Sequence, residues 1–319
     1  MNIRGRRSPR SGDDRGPGGG SGAGQVWAIG GGKGGVGKSF LAANLGAVAA
    51  SLGKRVILID ADLGGANLHT CLGIRGGSRV NLSDYLEDRV VDLEKAIIDT
   101  HIPGLRLILG ALGHIGARET SPEQRAEFLR AARALPADII IFDLAAGTER
   151  STLDFFLVSD SSFIVTTPEP TAVENAYGFL RASYYRRLGH VLGKSEIRSL
   201  LREAMDQRNE RGIHTPADLL REITRLDPTE GERFSRVLRE LRPRLILNQV
   251  RSSEEVKLGF SIRSVCRKYF GIDMDYVGYV NFDSAAWRSV KERSPLVLAY
   301  PHAEGALYIR RIAKKLLEE

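Results

Sequence analysis

The nine residues GGKGGVGKS, from Gly31 to Ser39, hold two lysines where a phosphate-binding loop needs one. The pattern G-x-x-x-x-G-K-[ST] is met by Gly32, Gly37, Lys38 and Ser39 at the required spacing. Glycines let backbone N–H groups close on phosphate oxygens at the start of a helix, where the helix dipole also favours negative charge. In such a loop Lys38 reaches the β and γ phosphates and the Ser39 hydroxyl binds Mg2+. Lys33 has no place in that pattern and needs chemistry of its own. Two further segments supply carboxylates: VILIDAD carries Asp60 and Asp62, and IIIFDLAAG carries Asp143. Carboxylates at the carboxyl ends of parallel strands beside a phosphate loop are placed to hold hydrated Mg2+ or to orient water.

The elements that must position these groups follow from the hydrophobic pattern. QVWAIGGGKGGVGKSFLAANLGAVAASLGKRVILID reads as strand, glycine loop, Ala-rich helix and second strand, which makes a parallel pair. LRLILG, DIIIFDL, SSFIVTTP, RLILNQV and DYVGYV are further short apolar runs, with helical patterns between them. Such runs suit strands buried on both faces. The expected fold is α/β, a doubly wound, mostly parallel sheet of the P-loop NTPase type with its ligand at the carboxyl ends of the strands. One ATPase domain is expected over residues 25–319, after a basic Gly-, Ser- and Arg-rich segment, 1–24, that reads as a disordered tail. Residues 194–241 interrupt the alternation with charged segments of helical periodicity, IRSLLREAM, PADLLREITRL and FSRVLREL. This helical insertion reads as a solvated cap with structural duties, and a partner-binding surface is the sharper alternative.

With 319 residues and 42% hydrophobic content, the chain can bury one large core. No stretch approaches the roughly 18 uninterrupted apolar residues of a membrane span, so a soluble or peripherally attached protein is expected. Cys71 and Cys266 form no C-x-x-C unit, which argues against a disulfide framework or a metal cluster and fits a reducing cytoplasm. A net charge of +7 permits attraction to nucleic acid or acidic lipid but is modest for this length. The final segment, ALYIRRIAKKLLEE, places Ile309, Ile312, Ala313 and Leu316 on one helical face and Arg310, Arg311, Lys314 and Lys315 mostly on the other. It reads as a core helix, with an interfacial membrane helix as the alternative.

KGGVGKS, DADLGGANL and TTPEPTAVENAYGFL together resemble the MinD/ParA class of P-loop ATPases, with its deviant Walker A loop. The resemblance is strongest to the MinD branch and, within it, to the flagellar number and placement ATPases called FlhG or FleN. Leu63 and Gly64 stand where the ParA branch usually has proline and glutamine. The resemblance implies ATP and Mg2+ as cofactors and an ATP-dependent homodimer in which Lys33 crosses to the partner's phosphates, as an arginine finger does. It implies that Lys33, Lys38 and Asp62 are catalytic, with Asp62 positioning the attacking water, and that Ser39, Asp60 and Asp143 organise the metal. Gly32, Lys33, Gly34, Gly35, Val36, Gly37, Lys38, Ser39 and Phe40 then line the nucleotide, and Asn67 lies near the dimer face. Asn248 matches the family's adenine-reading asparagine, and Asn281 and Asp283 lie in its purine loop, with Asn281 replacing the usual proline. Function by resemblance is a positioning switch that hydrolyses ATP and recruits a protein partner in one nucleotide state. A ParA-like ATPase holding nonspecific DNA is the second reading. An iron-sulfur carrier of the Mrp type would need a cysteine pair that this chain lacks, and no substrate pocket marks a metabolic enzyme.

Overall fold

The computed structural model of this chain describes residues 24–62, 64–74, 80–87, 89–110, 121–191, 199–200, 203, 213 and 215–319. Its strands are β1 (Gln25–Gly30), β2 (Val56–Ala61), β3 (Ile97–Asp99), β4 (Leu105–Ile108), β5 (Ile139–Leu144), β6 (Ser161–Thr166), β7 (Arg244–Val250) and β8 (Asp275–Asn281). They lie in one sheet in the order β3-β4-β2-β5-β1-β6-β7-β8, parallel except for β3, which runs antiparallel to β4. Each apolar run singled out above is a strand. Along β1, Val26 and Ala28 enter the core on one face of the sheet, and Trp27 and Ile29 enter the core on the other. Because side chains alternate between two buried faces, the strand reads as a continuous apolar run.

The helices are α1 (Lys38–Ser51), α2 (Leu68–Cys71), α3 (Leu82–Leu86), α4 (Pro122–Ala134), α5 (Arg150–Val158), α6 (Pro170–Val191), α7 (Pro216–Leu226), α8 (Pro228–Arg239), α9 (Ser253–Val265), α10 (Ser284–Lys291), α11 (Leu296–Ala299) and α12 (Glu304–Glu318). One face of the sheet packs Phe128 of α4, Phe155 and Phe156 of α5 and Phe179 of α6. The other packs Leu41 and Leu45 of α1 and Ile309 and Ile312 of α12. Leu41 to Ala50 are all buried, so α1 is enclosed on every side, and its small alanines let the sheet and α12 approach it closely. The Doubly wound plan therefore holds, with β1 central and its loop opening at the carboxyl edge.

The C-terminal helix and part of the segment read as an insertion both reach the core. Ile309, Ile312, Ala313 and Leu316 of α12 are buried, so the apolar face of that helix is used in the core and is closed to lipid. Within the segment read as an insertion, α7 and α8 bury Leu219, Ile223, Phe234 and Leu238 in the same core as α4 to α6. The Tyr184 hydroxyl of α6 donates to the Pro216 carbonyl at 2.9 Å, so these helices are tied to the body of the fold. The remaining insertion residues, apart from 199, 200, 203 and 213, lie outside the described residues, as do residues 1–23 of the expected tail. Cys71 and Cys266 are free thiols. Among the described residues no helix is long and apolar enough to cross a membrane.

Candidate nucleotide and magnesium site

The phosphate loop leaves β1 and runs directly into α1, whose N-cap is Gly37 at φ +96°, a left-handed conformation suited to glycine. A Cβ at Gly37 would lie 2.3 Å from Asn248 Nδ2, and one at Gly32 would lie 2.0 Å from the Asn175 carbonyl of α6. Only glycine fits between the neighbours that clamp the loop. From the β7 side, buried Asn248 donates through Nδ2 to the Val36 carbonyl at 2.9 Å. Gly34 and Gly35, by contrast, border open space. Val36 is buried, and Phe40 packs partly against the core beneath α1. The loop is thus held on two sides and open on the side where a phosphate would enter.

Parallel pairing of β2 with β5 sets Asp60 directly beside Asp143 at the carboxyl ends of the strands. Asp60 accepts from the Leu68 N–H at 3.1 Å and the Asp62 N–H at 3.3 Å, so it anchors the turn that leads into α2. Asp143 is fully buried, and neither of its carboxylate oxygens has a hydrogen-bond partner. The Ser39 hydroxyl lies beside it, outside hydrogen-bond geometry. An orphaned buried carboxylate is costly unless something else satisfies it. With Ser39 and Asp60 adjacent, a hard divalent cation with its water shell fits that need, since Mg2+ takes oxygen ligands. Burial pushes Asp60 up to about 7 and Asp143 up to about 8, the second also through its acidic neighbour.

A pH dependence follows, and its sign is fixed by those upward shifts. Below about pH 7 the pair holds protons that a cation must displace, and above about pH 8 it does not. Mg2+ affinity in the presence of nucleotide is therefore expected to rise from pH 6 to pH 8, by up to about tenfold per pH unit for each proton displaced. Calorimetric titration of Mg2+ at the two pH values checks this, and a flat affinity would count against the pair as ligands.

The two lysines have different surroundings. Lys38 is buried, its Nζ lies 3.5 Å from the Lys33 carbonyl, and burial lowers its pKa against the opposing pull of Asp143 and Asp62. Lys33 stands at the rim, where Nζ meets Glu169 Oε2 at 3.0 Å and Thr171 Oγ1 at 2.9 Å. Its side chain is 36% exposed and that of Glu169 63%. An ion pair this open contributes about 0.2–1 kcal/mol, so Lys33 can leave it at little cost. Asp62 is half-exposed and accepts from the Gly64 and Gly65 N–H groups. That turn holds the carboxylate within electrostatic reach of Lys38.

A family model of the CobQ/CobB/MinD/ParA nucleotide binding domain matches residues 27–296. The chain belongs to this family. Over 294 residues it is 26% identical to the antiactivator FleN of Pseudomonas aeruginosa, covering 92% of this chain and 86% of that protein. It is 36% identical over 156 residues to the flagellum site-determining protein YlxH of Helicobacter pylori, about half of each chain. Among solved structures, the septum site-determining protein MinD of Pyrococcus horikoshii, complexed with Mg-ADP, superposes with a TM-score of 0.63 at 21% identity over 92% of this chain and 95% of that one. This likeness carries the fold. The family binds ATP and Mg2+, and the clamped loop and the orphaned Asp143 are the features of this chain that suit them.

Other residues picked from the sequence are placed as follows. Gly32 to Ser39, Asp60, Asp62 and Asp143 converge at one edge of the sheet, and Asn248 reaches the loop itself. Asn281 donates to Glu304, and Asp283 caps α10 through the Ala285 N–H while its other oxygen accepts from the Gly305 N–H. Both thus tie β8 to the starts of α10 and α12. Asn67 is exposed and donates to the Gly65 carbonyl, and Leu63 lies outside the described residues. Sequence reasoning missed Glu169 and Thr171. The signal was present in TTPEPT, since Glu169 follows β6 at the same sheet edge as Asp60 and Asp143.

Proposed function

We propose that this chain is an ATP-driven dimerising switch that hydrolyses ATP to ADP and phosphate and positions or numbers a cellular structure, with flagellum-type placement as its setting. The observation that carries this reading is the position of Lys33. Lys38 already occupies the buried phosphate pocket, whereas Lys33 sits at the exposed rim on a weak ion pair. A cation so held serves a second subunit better than its own. In the ATP state Lys33 leaves Glu169 and Thr171 and reaches the phosphates of the partner copy, so turnover depends on dimerisation. Asp62 orients water, and Ser39, Asp60 and Asp143 hold the Mg2+ that neutralises phosphate charge. Likeness to FleN over most of both chains, and to YlxH, supports the flagellar setting. A protein partner then reads the nucleotide state, as expected when two conformations differ in affinity for it.

Solution mass measured by light scattering tests the switch. The Asp62→Ala variant is expected to double its mass with ATP and Mg2+ and to remain monomeric with ADP. A monomer with tightly bound ATP would remove the dimer from the mechanism.

A further inference from the structure

The side of the sheet that receives the nucleoside follows from the side that receives the metal. Asp60 and Asp143, the carboxylates suited to Mg2+, belong to β2 and β5, on one side of β1 and its phosphate loop. Mg2+ sits at the β and γ phosphates, so the ribose and base extend to the other side, over β6, β7 and β8. β8 lies three strand spacings from β1, about 14 Å. The loop already has a contact on that side, since Asn248 of β7 donates to the Val36 carbonyl.

The carboxyl ends of β7 and β8 are irregular there. Leu247 pairs with Tyr279 and Val250 with Asn281, so β7 carries one residue more than β8 between those pairs. This bulge puts Gln249 at φ +60°, a left-handed conformation uncommon outside glycine, and bulges of this kind re-aim side chains beside ligand sites. Beyond the bulge the Phe282 N–H donates to the Val250 carbonyl at 2.7 Å, and the Arg251 guanidinium lies over the Phe282 ring, 3.7 Å from its centroid. Val280, two residues before Phe282, enters the core on the α1 side of the sheet, and strand alternation puts Phe282 on that side as well.

We infer that the Phe282 ring, backed by Arg251, stacks on the nucleobase. The polar side chains around it are already committed: Asn281 to Glu304, Asp283 to the Ala285 and Gly305 N–H groups, and Asn248 Nδ2 to Val36. Phe282 itself is 49% exposed, with the guanidinium against its ring. One face of the ring is thus covered by a cation and the other is open to a second flat group. A purine is such a group, and an aromatic ring can stack on any base because every base has a π face. Arg251 acts through the ring as a positioning residue, holding it by a cation–π contact. Phe282 takes this role only if the loop is the nucleotide site, as proposed above, and inorganic triphosphate, which fits the loop but has no base, tests the two separately.

Binding of ATP and of inorganic triphosphate to the full chain is measured by calorimetry in the presence of Mg2+. Phe282→Ala is expected to weaken ATP binding about tenfold or more and to leave triphosphate binding unchanged. Phe282→Tyr should retain the affinity for ATP. Arg251→Ala should weaken ATP binding less than Phe282→Ala does, and should add nothing once the ring is gone. Phe282→Trp in a Trp287→Phe background gives a spectroscopic readout, because the chain has two tryptophans and the remaining one, Trp27, is only 1% exposed. Its emission should be quenched by ATP and not by triphosphate. Undiminished ATP affinity of Phe282→Ala, or an equal loss for triphosphate, would overturn the assignment, as would unchanged emission of the Phe282→Trp variant on saturation with ATP. A wild-type chain that binds neither ATP nor triphosphate would remove the nucleotide site itself, and the role of Phe282 with it.

Discussion

Lys33→Ala is expected to lower ATP turnover by about 10³-fold or more, the scale of a cation supplied in trans to phosphoryl transfer, while leaving ATP binding nearly unchanged. Removing it should not disturb the fold, because its contacts on its own chain are one open ion pair and one hydroxyl. Lys38→Ala should behave differently, because Lys38 is buried in the phosphate pocket beside Asp143 and its loss should weaken nucleotide binding itself. The decisive form of the experiment mixes two inactive proteins. A mixed dimer of Lys33→Ala and Asp62→Ala contains one site with Asp62 intact and a partner that still supplies Lys33. Equal mixing should therefore restore roughly a quarter of wild-type turnover, since about half the dimers are mixed and each has one working site. A mixture as inactive as its components would place Lys33 in cis and remove the link between turnover and dimerisation.

How much of this was legible in the sequence depended on whether a residue's neighbours were local or distant. Gly32, Lys38, Ser39, Asp60 and Asp143 could be picked out as candidates from motif spacing and strand ends, and the parallel register of β2 and β5 sets the two aspartates side by side. The main strands could be read because both faces are buried, so alternation disappears and the apolar run stands out. β3 could not, being three residues long, incompletely buried and at the sheet edge. The partners of Lys33 were illegible for another reason: Glu169 lies 136 residues away, and only the docking of α6 against the phosphate loop brings it near. Asn281 and Asp283 show the converse, since a motif position suggested base contact while local geometry uses their side chains to fasten the starts of α10 and α12. A sequence pattern names candidate groups, and the hydrogen bonds decide which of them are already engaged.

The seating of α6 depends on a buried charge cluster, and Asp154→Ala is expected to be the most destabilising single change discussed for this chain. Asp154 of α5 accepts from Arg125 Nε of α4 at 2.7 Å and from Arg186 Nε and Nη2 of α6 at 2.7 and 2.8 Å. The Arg125 side chain is 4% exposed. Truncating the carboxylate removes the buried ion pairs that tie α4, α5 and α6 together, and breaking a buried pair costs about 3–5 kcal/mol. For a chain of 319 residues that lowers Tm by about 4–7 °C, measurable by circular dichroism. Asp154→Asn keeps one acceptor oxygen and should lose less. Exchanging the charges for apolar bulk, as in Arg125→Met with Asp154→Leu, should recover part of the loss, because packed apolar side chains carry no desolvation cost. ATP turnover per folded molecule at 25 °C should stay nearer wild type than that of Lys33→Ala, since Asp154 bonds to α4 and α6 and not to Lys33. A Tm change under about 2 °C would mean that the guanidinium reaches water or another acid, and that α6 is held chiefly by its Phe179 and Tyr184 packing.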